Sequence, residues 1–444
     1  MKEFTKSEHY TIPNEWLYEN TDGLHADTSK LTMHFFTDHH YVRIGNTELM
    51  RFDGKRYVNT SANDCKGEIK QHIPLEIRMK KHMDAVYNEL ITEPLVSFSS
   101  FNADESIINM SDGILHLDTM TKTPHSHEVY STILIPCSYS PGMTFDDCPK
   151  FRDYLNELID GDEELKTLIM EYIGVIISNV YGYRYKKMLM LHGKGNTGKS
   201  VLRELIIRII GEENNQSINI EQLNSDFGAA QVKDKLLCGA GDMTVKSLGQ
   251  IEIIKSLTGS DNLNGNRKHK DAISFQYRGL LMFCCNELPR FDGDKGVHVY
   301  ERFLIIPCNN VVEKSRRNSQ LVDELFEERN AIVSIAIDAM RKTIDRGYKF
   351  TEGNVILEQR KKYEILNNSL FGFVEQCCIL NEGVTRRSEF NYEYGKWCKD
   401  NKLYVEPKNQ IGKILREKFQ IEARKTHGGF MCYDLKINYE NAGQ

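Results

Sequence analysis

Residues 188–210 read MLMLHGKGNTGKSVLRELIIRII. The opening run, Met188 to Leu191, is apolar without alternation, the pattern of a strand buried on both faces of a parallel sheet. It passes into Gly193-Lys194-Gly195-Asn196-Thr197-Gly198-Lys199-Ser200, which matches the Gly-x4-Gly-Lys-Ser/Thr phosphate loop. In such a loop the glycines let backbone N–H groups converge on phosphate oxygens. Lys199 supplies a point charge, and the Ser200 hydroxyl can reach a magnesium ion. Val201 to Ile210 then continues with helical periodicity, so the loop sits at a helix N-terminus whose dipole favours phosphate. On background frequencies, chance would give on the order of 0.02 such matches in a chain of this length. Gly193 to Val201 are therefore candidate nucleotide-binding residues.

Further buried runs follow at Leu236 to Ala240, Leu280 to Cys285 and Phe303 to Pro307, with helical segments between them. This grammar predicts a doubly wound α/β domain over roughly 180 to 310. Polar residues stand at the strand tips. Asp242 follows the second run, where a carboxylate could hold Mg²⁺ and orient water. Asn286 ends the third, and Arg302 precedes the fourth, where a guanidinium could reach a neighbouring subunit's nucleotide. The guanine-reading tetrad Asn-Lys-x-Asp does not occur. Between Asp242 and Asn286, turn residues Asn262 to Asn266 lead into Arg267-Lys268-His269-Lys270, the pattern of a hairpin with a basic tip able to track a phosphate backbone.

Away from this core, Ile107 to Leu117 flanks Asp112-Gly113 and predicts a small hairpin. Phe151 to Ile177 carries apolar residues at spacings of three and four, broken at Gly161, and predicts a helical hairpin. Residues 144–166 hold eight acidic against three basic side chains, so a polyanion is expected to bind elsewhere. The stretch 347–367 reads as a linker. Val384 to Gln444 has twelve Lys or Arg against eight Asp or Glu, opposite in sign to the chain's formal net charge of −6. Helix-like Glu389 to Lys399 and Gln410 to Phe419, followed by strands turning at Gly428-Gly429, predict a winged helix there.

The whole chain has 444 residues, 40% hydrophobic and 27% charged, which predicts two to four globular domains rather than a disordered chain. No apolar run approaches the roughly 20 residues of a membrane span, and Met1 to Glu8 has no secretion-signal pattern, so a cytoplasmic location is expected. Eleven cysteines without a Cys-x-x-Cys predict buried reduced thiols rather than a zinc site or disulfides.

With the motifs His192 to Ser200, Lys255-Ser-Leu-Thr-Gly259, Cys285-Asn-Glu-Leu-Pro289 and Glu301-Arg-Phe303 in this order, the chain resembles the superfamily 3 (AAA+) helicases. The likeness is to phage and plasmid primase-helicases with a poxvirus-type N-terminal helicase domain, such as replication proteins of phage satellites and pathogenicity islands. It runs from about Ile107 to the C-terminus, and the organisation expected is an N-terminal α+β region of unread role (1–100), a helicase N-terminal domain of small sheet plus helical hairpin (101–180), the AAA+ P-loop core with trailing helices (181–346), the linker (347–367) and a winged helix (368–444). It also implies that Gly193, Lys194, Gly195, Asn196, Thr197, Gly198, Lys199, Ser200 and Val201 bind ATP, with Ser200 and Asp242 on Mg²⁺.

By the same resemblance Asn286 senses the γ-phosphate, and Arg302 is an arginine finger completing a neighbour's site in a ring, usually a hexamer. Lys268, His269 and Lys270 grip single-stranded DNA in the channel, and forked DNA is the substrate. The family often has two adjacent acids at its second motif. Here Gly241 replaces the first, so metal binding and water orientation would share Asp242. That departure keeps open an alternative: an origin-binding initiator that uses ATP as an assembly switch. A small-molecule kinase would need an acceptor pocket and lid that the sequence does not display. No paired-carboxylate polymerase site stands before residue 100, since His25 with Asp27 is too little, so priming would fall to a separate primase subunit.

Overall fold

The structure is a computed structural model describing residues 16–44, 48–225, 227–242, 247–267, 270–292 and 296–439. The chain divides into two compact units between Tyr139 and Ser140. In the first unit, strands Tyr41–Arg43, Leu49–Phe52 and Tyr57–Thr60 form one antiparallel sheet, and Ile107–Met110, Gly113–His116 and Thr121–Thr123 form another. Three helices, Thr28–Asp38, Ala62–His72 and Lys80–Leu90, share a core of Leu31, Phe35, Ile69, Val86 and Leu90. The sheet expected around Asp112-Gly113 thus lies in the first unit and the helical hairpin in the second.

The second unit begins with that hairpin, α1 (Pro149–Ile159) and α2 (Glu163–Ile177). Proline at the first turn of α1 loses no hydrogen bond there. Asp160 ends the helix in the left-handed conformation, and Asp162 caps α2 by accepting from the amides of Glu164 and Leu165 at 2.9 Å. The spacing read at 151–177 follows from burial: Phe151, Tyr154, Leu155 and Leu158 of α1, and nearly the whole of α2, face the core.

Next come β1 (Met188–His192), α3 (Lys199–Ile210), β2 (Asn215–Ser217), β3 (Leu237–Gly239), α4 (Glu252–Leu257), β4 (Asn262–Arg267), β5 (Lys270–Gln276), β6 (Leu280–Cys285) and β7 (Phe303–Pro307). Five of these strands form one parallel sheet in the order β2-β3-β6-β1-β7. Four strands were expected; the fifth, β2, is a polar edge strand, Asn-Gln-Ser, with no apolar signature. Central strands are buried throughout: Leu189, Leu191, Leu281, Phe283, Leu304 and Ile306 are at most 1% exposed. Each such side chain contributes about 1.5–3 kcal/mol on burial. Strands β4 and β5 pair antiparallel, from Asn262 opposite Gln276 to Arg267 opposite Lys270.

Helices α5 (Leu321–Glu327), α6 (Arg329–Asp345) and α7 (Asn354–Asn367) follow. The last occupies the stretch read as a linker. It is held because Tyr363 is fully buried against Phe291, Phe303 and Tyr300 and donates its hydroxyl to the Pro289 carbonyl at 2.7 Å. The chain then continues as α8 (Ser369–Cys377), β8 (Cys378–Arg386), α9 (Arg387–Asp400), α10 (Lys408–Phe419), β9 (Ala423–Lys425) and β10 (Met431–Ile437). Its three strands order as β8-β10-β9, and the turn after β9 has Gly429 at φ +82°. Phe373, Phe390, Tyr394, Trp397, Leu415 and Leu435 make a separate core under these elements. Among the described residues no helix is long and apolar enough to cross a membrane. The cysteines are thiols, ten of the eleven buried.

Candidate nucleotide site at the ends of the parallel strands

In open parallel sheets, ligands bind outside the carboxyl ends of the strands. A cavity of about 310 Å³ lies there, lined by residues 195–201, Gly241, Asp242, Cys284, Cys285 and Asn286. Three strand tips converge on it: β1 runs into the glycine-rich loop 193–198, β3 leads to Asp242, and β6 ends at Cys285 beside Asn286. Lys199, Ser200, Asp242 and Asn286, far apart in sequence, thus share one pocket.

Two glycines make the loop possible. Gly193 has φ +155°, and a Cβ there would lie 2.0 Å from the Cys308 carbonyl oxygen. Gly198 has φ +93°, and a Cβ there would press within 3.2 Å of the Tyr154 ring. Tyr154, on α1, donates its hydroxyl to the Gly198 carbonyl at 2.9 Å and braces the loop from outside. Lys199 is buried, and its ammonium donates to the Gly193 and Lys194 carbonyls at 2.7 and 2.6 Å and to Thr197 Oγ1 at 3.1 Å. The cation is held within the curve of the loop, where an incoming phosphate could take over from the carbonyls. Ser200 donates its hydroxyl to the Gly241 carbonyl at 3.3 Å, tying the helix start to the tip that carries Asp242.

Arg203, one helical turn beyond Lys199, has no counterpart among the expected residues. It is buried, and Nη2 donates to the Gly239 carbonyl at 2.9 Å and to Ser217 Oγ at 3.3 Å. It therefore clamps the tips of β2 and β3. A Cβ on Gly241 would lie 4.0 Å from Arg203 Cδ and Nη1, so the backbone at 241 borders this guanidinium. Its i, i+4 spacing places it on the same helix face as Lys199, but its burial comes from β2 and β3, which no local pattern shows.

Arg302 is not in this pocket. It lies at the opposite end of the sheet, where its carbonyl accepts from the Met188 amide at the start of β1. With β1 five residues long, that is about 13 Å of strand from the glycine-rich loop. Arg302 Nη1 donates to Thr258 Oγ1 at 2.7 Å and to the Lys255 carbonyl at 3.4 Å, at the C-terminal end of α4. The Lys255 to Gly259 motif is thus the cradle of this arginine. Lys268 and His269 lie outside the described residues, and Lys270 opens β5.

Burial pushes the thiols around the sheet upward from their usual value of 9: Cys284 to about 11, and Cys238, Cys285 and Cys308 to about 12. They stay protonated and act as small apolar fillers. The folded protein then keeps protons that the unfolded chain releases. Stability is complete below about pH 9 and falls as pH rises beyond it, by on the order of 1 kcal/mol per pH unit for each thiol. The urea midpoint should drop between about pH 8 and about pH 10; a flat midpoint would mean that the thiols titrate freely. Burial also holds the His192 imidazole below its usual value, helped by Lys199.

Residues 31–160 match the family described as D5 N terminal like, and residues 191–302 match a family of unknown function, DUF5906. Over 367 residues the chain is 22% identical to the protein named Putative helicase 121R of Invertebrate iridescent virus 3, covering 73% of this chain and 39% of that one. The chain therefore spans about two fifths of that relative's length. Its fold is similar to apo structures of the NrS-1 C-terminal region. Two of these have TM-scores of 0.53 and 0.55 at 15% and 13% identity, covering 92% of this chain and 99% and 98% of theirs. The chain is thus similar in sequence to a viral protein named a putative helicase, and similar in fold to the NrS-1 C-terminal region.

Proposed function

We propose that this protein is an ATP-dependent DNA helicase of superfamily 3, acting as a ring, by resemblance a hexamer, in the replication of a phage or mobile element. The observation that carries the reading is the division of the site: Lys199, Ser200, Asp242 and Asn286 share one pocket, while Arg302 stands at the other end of the same strands. A cation so placed is remote from its own protomer's pocket, which supports a role at the pocket of an adjoining protomer. Sheet order β2-β3-β6-β1-β7 and the C-terminal arrangement α8-β8-α9-α10-β9-β10 support an AAA+ core followed by a winged helix.

ATP is the substrate, its phosphates taken by the backbone of residues 195–201 and by Lys199. The Ser200 hydroxyl and Asp242 carboxylate are hard oxygen donors that fit Mg²⁺, which keeps few protein ligands and completes its shell with phosphate and water. When bound, Mg²⁺ neutralises charge developing on the phosphates. Asp242 also orients the attacking water, the Asn286 amide reports the γ-phosphate, and Arg302 of the adjoining protomer stabilises the charge of the transition state. The hairpin β4–β5, with Lys268 and His269 between its two strands in sequence and Lys270 opening β5, carries the single strand. Priming is assigned to a separate subunit. Each lost single-strand phosphate contact lowers the salt slope of binding by about 0.7, so Lys268→Ala with Lys270→Ala should lower it by about 1.4. An unchanged slope would remove these residues from the DNA path.

One observation favours a second reading. Gly241 leaves Asp242 as the sole carboxylate lining the pocket among the described residues, which would suit slow hydrolysis in an initiator that uses ATP as an assembly switch. Unwinding of a labelled fork decides between them. The helicase separates the strands with ATP and has its turnover stimulated by single-stranded DNA; the switch binds DNA, leaves the fork annealed and hydrolyses at an unstimulated rate.

A further inference from the structure

A second cavity, of about 580 Å³, lies in the C-terminal region and is lined by Arg386, Arg387, Ser388, Asn391, Tyr392, Lys408, Phe430 and Met431. Three elements build it: the start of α9, the start of α10 and the turn into β10. Its chemistry is one-sided. The lining holds three cations and no carboxylate, and among the described residues Arg386, Arg387 and Lys408 form no salt bridge. Tyr392 is 70% exposed and Phe430 51%, although both rings border the cavity. The Arg386 guanidinium lies 4.2 Å from the centroid of the Phe430 ring and fixes it in place. Asn391, also in the lining, has its Oδ1 buried without a hydrogen-bond partner among the described residues.

We infer that this cavity is a binding site for single-stranded nucleic acid, distinct from the hairpin β4–β5, in which the cations hold phosphates and the Tyr392 ring stacks on an unpaired base. The occupant follows from the combination. Cations alone would accept any polyanion, but exposed rings beside them are the platform on which unpaired bases stack, and a duplex hides its base faces. An acidic peptide would satisfy the cations and leave both rings unused. This inference rests on the DNA-directed reading above for its meaning to the protein, and not for the binding itself.

The test is fluorescence anisotropy of the full chain with a labelled oligothymidylate, without ATP. Tyr392→Ala, at an exposed position that does not threaten folding, should weaken binding about tenfold or more. Arg386→Ala with Lys408→Ala should lower the salt slope by about 1.4. Unchanged affinity and slope in both variants would overturn the inference. So would duplex binding that is tighter than single-strand binding and indifferent to Tyr392. Displacement by polyglutamate that is equally effective against wild type and Tyr392→Ala would assign the cavity to an acidic protein segment and likewise overturn it. If ATP turnover proves absent while the Tyr392 variant loses binding, the helicase reading falls and the site stands.

Discussion

Replacing Arg302 by alanine should cut ATP turnover by about 10³ to 10⁵, equivalent to about 4 to 7 kcal/mol of barrier, with ATP still binding. The argument is geometric. Arg302 stands a strand's length from the pocket of its own protomer, so its removal leaves residues 195–201, Asp242 and Asn286 undisturbed. What it loses locally are hydrogen bonds to Thr258 and the Lys255 carbonyl, worth about 1–3 kcal/mol of stability. The gap between these magnitudes separates a catalytic arginine from a structural one. Arg302→Lys should fail nearly as badly, because an ammonium cannot reproduce the planar fork that grips phosphate oxygens. Steady-state turnover beside ATP affinity and a denaturant midpoint checks the prediction: turnover falling in proportion to stability would reduce Arg302 to a structural role.

Asp242→Asn should be the next most damaging change. Among the described residues Asp242 is the sole carboxylate lining the pocket, so an amide there removes the charge that would hold Mg²⁺ and orient water together. Several kcal/mol of transition-state stabilisation are at stake, a loss of about 10² to 10⁴ in turnover. Nucleotide should still bind through the phosphate loop, since Lys199 and the backbone of 195–201 are untouched. If turnover at saturating Mg²⁺ stays within a fewfold of wild type, another group carries the acid's role.

The pocket was largely legible because its parts obey local rules. Met188 to Leu191 and Leu280 to Cys285 are buried on both faces and therefore carry no polar alternation, and the loop glycines are demanded by backbone geometry. Strand β2 escaped because an edge strand of Asn-Gln-Ser needs no apolar residue. Helix α7 reads as a polar linker because only Ile356, Tyr363 and Asn367 of its fourteen residues are buried; tertiary packing, not composition, holds it. Arg203 has no sequence signature for a related reason. A charged residue on an amphipathic helix reads as solvent-facing, and only the arrangement of β2 and β3 turns it inward. The link between Thr258 and Arg302 joins residues 44 apart, a distance no local pattern encodes.

The most direct measurement mixes two inactive proteins. Lys199→Ala should lose its own pocket but keep Arg302, and Arg302→Ala should lose its finger but keep the pocket. If catalysis is shared across a protomer boundary, mixing them should restore a fraction of ATP turnover through hybrid interfaces, greatest near equal proportions. Turnover that stays at the level of the separate variants at every ratio would contradict the shared site.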